Sequence, residues 1–171
     1  MLLPIVAYGH PTLRKRSEEI TKDYPDFEKF VADLTETMYV ADGVGLAAPQ
    51  VNRNIRVFVI DCNPFKEKYP EASGVKGLFI NPVILEETGD PWYYNEGCLS
   101  VPGIHEDVLR KKTIKIRYFD ENWVEHTKTF TGIVARVIQH EYDHLEGKVF
   151  TDRLSPMRKL LLKGKLNDIS Q

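Results

Sequence analysis

Only two cysteines, Cys62 and Cys98, occur among the 171 residues. Two cannot staple a chain of this length into a disulfide scaffold, and no Asn-x-Ser/Thr acceptor is present. A reducing, cytoplasmic setting is therefore expected. Charge of one sign is also lacking: 23 basic against 25 acidic side chains leave a net of −2. Without a basic surplus to hold a phosphate backbone, DNA is not expected as a partner. No apolar run approaches the ~20 residues of a membrane span, so no membrane is expected either. Met1 to Tyr8 is apolar but short and has no basic leader, so it is not read as a signal peptide. Repeats, low-complexity stretches and linkers are absent, and residues 1–171 are read as a single domain. What remains is 42% apolar and 28% charged, a globular balance that argues against disorder.

Pro25 to Met38 carries Phe27, Phe30, Val31, Leu34 and Met38 at helical spacing, and Gly43-Val44-Gly45 ends that pattern. Ile55 to Asp61 and Leu78 to Ile84 are rich in β-branched and aromatic residues and read as strands. The stretch 63–76 between them, with two prolines, reads as a surface loop. Thr113 to Phe119 alternates cleanly. Asp120-Glu121-Asn122 is a turn candidate, and Trp123 to Phe130 is the return strand of a hairpin. Ile133 to Leu145 reads as a helix stopped by Gly147. Ser155-Pro156 opens a last helix bearing Met157, Leu160 and Leu161, whose far end Gly164 should weaken. The expected fold is α+β. Mostly antiparallel strands pack around a central helix at 133–145, with a further N-terminal and C-terminal helix.

That central helix contains His140-Glu141-Tyr142-Asp143-His144, an HExxH pattern. Side chains four apart stand one turn above each other, about 5–6 Å apart at Cβ, so two imidazoles can share one divalent ion. The adjacent glutamate is close enough to exchange protons with water there. On a wheel of about 100° per residue, His140, Glu141 and His144 fall on the arc of Ile133, Val134, Val137, Ile138 and Leu145. Arg136, Gln139, Tyr142, Asp143 and Glu146 fall opposite. A lone histidine on an apolar face is usually a satisfied core residue. Two with a carboxylate are harder to excuse, because an unpaired buried carboxylate costs several kcal/mol or is neutralised.

A catalytic site of this type has a third protein ligand and one open position. His10, His105, His126, Cys62, Cys98 and the acids are candidates. Cys62, after an apolar run, suits a small core residue. Cys98, following Gly97 between Pro91 and Pro102, suits a strand end or bend.

Three segments together resemble the signature motifs of the bacterial peptide deformylase family: Gly43-Val44-Gly45-Leu46-Ala47-Ala48-Pro49-Gln50, Glu96-Gly97-Cys98-Leu99-Ser100 and Gln139-His140-Glu141-Tyr142-Asp143-His144-Leu145. Gly9 to Arg14 and Leu154-Ser155-Pro156 extend the likeness over nearly the whole chain. The resemblance implies one catalytic domain that hydrolyses the formyl group from the N-terminal formylmethionine of new polypeptides, releasing formate. It implies Cys98, His140 and His144 as metal ligands, Glu141 as the acid/base, and Gln50 with the Leu99 N–H as the oxyanion site. Gly43 and Gly45 would lie along the bound peptide, and Val44 and Tyr94 would line the methionine pocket with part of the Arg136 stem. Glu96 would support the site from behind. The implied physiological ion is Fe2+, with Zn2+, Ni2+ or Co2+ able to substitute. One departure is His105, which stands where some relatives carry arginine.

Other readings stay open from the residues alone. HExxH also serves metallopeptidases, which need a His or Glu as third ligand and act on internal peptide bonds. A binding module with a closed, structural metal is a second alternative. Gly43 to Gln50 is by itself a glycine turn, Glu96 a surface acid, and Trp92-Tyr93-Tyr94 an edge-strand cluster. Arg158, Lys159, Lys163 and Lys165 read first as a solvated helix face, with transient ribosome contact as the alternative.

Overall fold

The computed structural model describes residues 1–171. Helix α1 spans Phe27–Val40, two residues later than the spacing predicts, because Asp26 adopts a left-handed conformation (φ 53°) ahead of the first turn. A five-stranded antiparallel sheet follows, ordered β1-β2-β3-β6-β7. Its members are β1 (Gly45–Ala47), β2 (Val57–Asp61), β3 (Lys76–Thr88), β6 (Thr113–Phe119) and β7 (Glu125–Thr131). Strands β4 (Trp92–Cys98) and β5 (Val101–Arg110) form a separate antiparallel hairpin. Helix α2 spans Gly132–Leu145 and α3 spans Pro156–Ser170.

Several elements are longer or differently placed than their patterns suggest. Strand β3 runs through Pro82 because its register shifts there, between Ile80 and Val83, so the missing N–H interrupts no regular ladder. Trp123 is not in the return strand. It sits in the turn at φ 58° and turns its ring toward Phe27 and Phe119. The 63–76 stretch is not featureless: it holds two short 3-10 turns, Asn63–Phe65 and Pro70–Ala72.

The last helix departs most from expectation. Met157, Leu160 and Leu161 are exposed, and Leu162 and Leu166 are the buried positions. They pack with Val101, Ile104, Val108, Phe150 and Leu154. Burying a leucine side chain contributes about 1.5–3 kcal/mol, which outweighs the roughly 1 kcal/mol cost of Gly164. The helix therefore continues through Gly164 to Ser170 instead of fraying. Its start agrees with the sequence: the Ser155 side chain accepts from the Arg158 N–H, with Pro156 in the first turn.

Helix α2 is buried on all sides: only His140 and Tyr142 escape full burial. One face packs on the large sheet through Ile133, Val134, Val137 and Ile138 with Phe58, Phe79 and Tyr118. The opposite, polar arc is also covered. Arg136, Gln139 and Asp143 are each at most 4% exposed. Their polar atoms bond to the β4–β5 side of the fold, Arg136 to the Val108 carbonyl and Gln139 to the Lys111 carbonyl. An amphipathic pattern is thus satisfied by a second, polar interface instead of by water.

Candidate active site

The end of β4 meets the C-terminal half of α2. Cys98 closes β4 and His140 and His144 stand on consecutive turns of α2. The ligand atoms of these three residues all lie within 4.8 Å of one another. Cys98 Sγ is 3.4 Å from His144 Nε2. The two imidazole centroids are 5.4 Å apart, and the His140 ring stacks on Phe150. Cys62, by contrast, is fully buried in the sheet core, and its thiol is pushed up to about 12 by burial.

A second layer fixes the first. Glu96 Oε1 accepts from His140 Nδ1 at 2.8 Å, which leaves the other ring nitrogen free to face Cys98. Arg110 clamps Glu96 through two bonds of 2.7 and 2.9 Å, and Arg136 also donates to it. The third Arg110 bond reaches Asp143 Oδ2 at 2.9 Å, and Arg153 holds Asp143 with bonds of 2.6 and 2.7 Å. Every charge in this buried chain has a partner of opposite sign. Burial works against the Glu96 carboxylate, but His140 and Arg110 hold it well below the usual range. Asp143 is lowered in the same way by Arg153 and Arg110, against burial.

Gln50 lies at the other rim, in the 3-10 turn Ala48–Val51. Its carbonyl accepts from the Ala47 N–H at 3.0 Å, which sets the amide's orientation. Its NH2 group then points toward Ser100 Oγ (3.1 Å) and Cys98 Sγ (3.5 Å). Glu141 is buried beside the ligands, its Oε1 has no partner, and burial raises its pKa. Burial pushes the Cys98 thiol up, but His144 and His140 outweigh it and bring it to about 5.

These observations fit a metal ion. One thiolate and two imidazoles converge at ligand spacing, the His140 ring is oriented by a carboxylate, and an unpartnered carboxylate oxygen stands alongside. An open cleft of about 500 Å³ leads to them. It is lined by Gly43, Val44, Gly45, Gln50, Tyr94, Glu96, Leu99 and Arg136, and also by Cys98, His140 and Glu141, so of the site residues named from the sequence only His144 does not line it. His144 lies just behind, at 1% exposure. Glu96 lines the cleft, but both its oxygens are taken by protein donors. Arg136 turns its guanidinium away to Glu96 and the Trp92 carbonyl. His105 is exposed at the mouth and lies so close to Gly97 that a Cβ there would be 2.4 Å from its ring.

Sequence reasoning missed Arg110, Asp143, Arg153, Ser100 and Phe65. The first carried a usable signal. Val108 and Arg110 share one face of β5, and an arginine two residues from a core valine is a candidate for a buried ion pair.

The polypeptide deformylase family model matches residues 2–160. A peptide deformylase of Cytophaga hutchinsonii is 55% identical over 171 residues, covering 100% of this chain and 92% of its own length. One of Christiangramia forsetii is 52% identical over 178 residues, covering 100% and 91%. Among solved structures, a peptide deformylase from Plasmodium falciparum superposes with a TM-score of 0.85 at 39% identity, covering 96% of this chain and 94% of that one. One from Thermotoga maritima gives 0.81 at 39%, covering 91% and 99%. With its length matched from end to end and its active-site corner assembled, the chain belongs to the polypeptide deformylase family.

Proposed function

We propose that this family member removes the formyl group from N-terminal formylmethionine of newly synthesised polypeptides by metal-dependent hydrolysis, acting as one catalytic domain over residues 1–171. The convergence of Cys98, His140 and His144 beside the unpartnered Glu141 carboxylate carries this reading. Helix α2, buried on all sides, is its rigid axis. Cys98, His140 and His144 would hold one divalent ion, which supplies Lewis acidity to the formyl oxygen and acidifies a water.

The chain's own residues do the rest. Glu141 accepts a proton from the attacking water and returns it to the leaving amine, giving formate and a free N-terminus. The raised pKa of its buried carboxylate suits both halves of that exchange. The Gln50 amide and the Leu99 N–H donate to the oxygen that becomes negative at the tetrahedral stage. Gly43, Val44 and Gly45 lie along the substrate chain, with Val44, Tyr94 and the Arg136 stem against the methionine side chain. Glu96 orients His140. A thiolate with two imidazoles accepts Fe2+ and Zn2+ alike; the family likeness implies Fe2+ as the physiological ion, with Zn2+, Ni2+ or Co2+ able to substitute. The setting is cytoplasmic. No helix is long and apolar enough to cross a membrane. Exposed Met157, Leu160 and Leu161 alongside the basic residues of α3 support transient ribosome contact through that helix, which co-sedimentation with ribosomes at low and high salt checks.

The test is anaerobic metal content together with formate release from formyl-Met-Ala, for the native chain, Cys98→Ser and Glu141→Ala. Native protein with one metal per chain releases formate; Cys98→Ser loses metal and activity together; Glu141→Ala keeps the metal and loses turnover. Cleavage of internal peptide bonds without formate release overturns the reading in favour of a peptidase.

A further inference from the structure

The 63–76 stretch, with no chemistry of its own, is built into the cleft. Its first turn ends on Phe65, which lines the cleft beside Tyr94. Phe65 meets Tyr94 edge-on at 6.5 Å and Tyr69 at 6.3 Å. Tyr69 in turn meets Tyr94 at 6.2 Å and Trp92 at 6.4 Å. The Arg136 guanidinium lies 4.7 Å from the Trp92 centroid and 5.6 Å from that of Tyr94. The stretch and the hairpin strand β4 therefore share one aromatic wall beside the Arg136 guanidinium.

This wall is held in place at several points. The Cys62 N–H donates to the Val75 carbonyl at 2.8 Å, tying the two ends together. Asn63 bridges the stretch internally: its N–H donates to Asp61 Oδ1 and its side-chain oxygen accepts from Gly74, each at 3.0 Å. Ala72 is wholly buried in the main core. The Asp61 N–H donates to the Val44 carbonyl at 2.9 Å, so the start of the stretch is fixed to another residue of the cleft lining. A ring anchored this way sets a hard limit on what fits beside it, because packed aromatic walls yield little.

We infer that Phe65 is a specificity-determining residue, forming the wall that limits the girth of the substrate's first side chain and favours a slender, unbranched one such as methionine. This rests on the deformylase reading. A thioether gains a favourable contact with an aromatic edge, whereas a ring or a branched chain collides with it.

The experiment compares kcat/KM for formate release from formyl-Met-Ala and formyl-Phe-Ala, using metal-loaded native enzyme, Phe65→Ala and Phe65→Trp. Phe65→Ala should lower the Met-over-Phe preference by about tenfold, within the range a hydrophobic pocket commands. Phe65→Trp should narrow the pocket and raise KM for formyl-Met-Ala. A preference unchanged within twofold in both variants, each folded by circular dichroism, overturns the assignment while leaving the deformylase reading intact. Phe65→Leu replaces Phe65→Ala should the latter fail to fold. Absence of formate from the native enzyme overturns both.

Discussion

Gly45 faces the Glu141 carboxylate so closely that a Cβ on Gly45 would stand 2.6 Å from Glu141 Oε2. The glycine of β1 is thus part of the space that the Glu141 carboxylate, the proposed acid/base, occupies. It is needed for absence of volume, not for an unusual backbone angle. Gly45→Ala should push the Glu141 side chain aside. A displacement of about 1 Å is enough to cost roughly 100-fold in rate, and overpacking a buried site costs about 1–3 kcal/mol of stability. Steady-state kinetics with a thermal melt check this; a native rate in Gly45→Ala would separate Glu141 from proton transfer.

Gln50 is oriented by the Ala47 N–H, so its NH2 group is aimed into the site before substrate arrives. Preorganised donors of this kind contribute about 2.7–4 kcal/mol where one has been removed from another enzyme's oxyanion site. Gln50→Ala should lower kcat by about 10²–10³ with metal content unchanged. Metal analysis beside the kinetics distinguishes this from simple loss of the ion through the nearby Cys98.

Metal removal should distinguish the two thiols. In stripped protein at pH 6.5, Cys98 is mostly thiolate, since His144 and His140 overcome burial and bring it to about 5. It also lines the cleft. Cys62 stays protonated, pushed up to about 12, and is inaccessible. Iodoacetamide should therefore label Cys98 alone, and reloading with Ni2+ should abolish the labelling. Mass spectrometry of the peptides reads the result; equal labelling with and without metal would remove Cys98 from the ligand set.

Acid stability should track the buried ion chain. Glu96 and Asp143 have pKa values lowered by folding. Their contribution is present in full above the unfolded carboxylate values, about 3.9–4.3. It is lost as pH falls from there through the lower folded values. Native protein should keep its melting temperature down to about pH 4 and lose it steeply below. Arg110→Met leaves two buried carboxylates short of a partner and should cost about 3–5 kcal/mol at pH 7. The cost should shrink as pH falls and the carboxylates are protonated. A pH-independent loss in Arg110→Met would refute the electrostatic account.

The motifs carried much of this site before any coordinates. Helical spacing alone put His140, Glu141 and His144 on one arc of α2; the structure packs Ile133, Val134, Val137 and Ile138 of that arc on the large sheet and turns His140 and His144 toward Cys98. Gly147 and Ser155-Pro156 mark helix ends because local backbone chemistry decides them. The same local logic failed on α3. Local propensity there predicted that Gly164 would weaken the far end, yet Leu162 and Leu166 pack with Val101, Ile104, Val108 and Phe150, leave Met157, Leu160 and Leu161 exposed, and the helix runs on to Ser170. Which stripe of a weakly patterned helix is buried depends on the surface it meets.

The sequence by itself determined which residue types do the chemistry and that HExxH lies on a helix, because turn spacing and side-chain chemistry are local properties. Spacing and composition left the third donor open; the motif resemblance implied Cys98, and the tertiary structure is what carries its sulfur to the two imidazoles. It alone paired Arg110 with Glu96 and Asp143 and set Phe65 against Tyr94. Those contacts join strands and loops far apart in the chain. Hairpin register and the burial of polar groups together specify them, and no short window of sequence contains either.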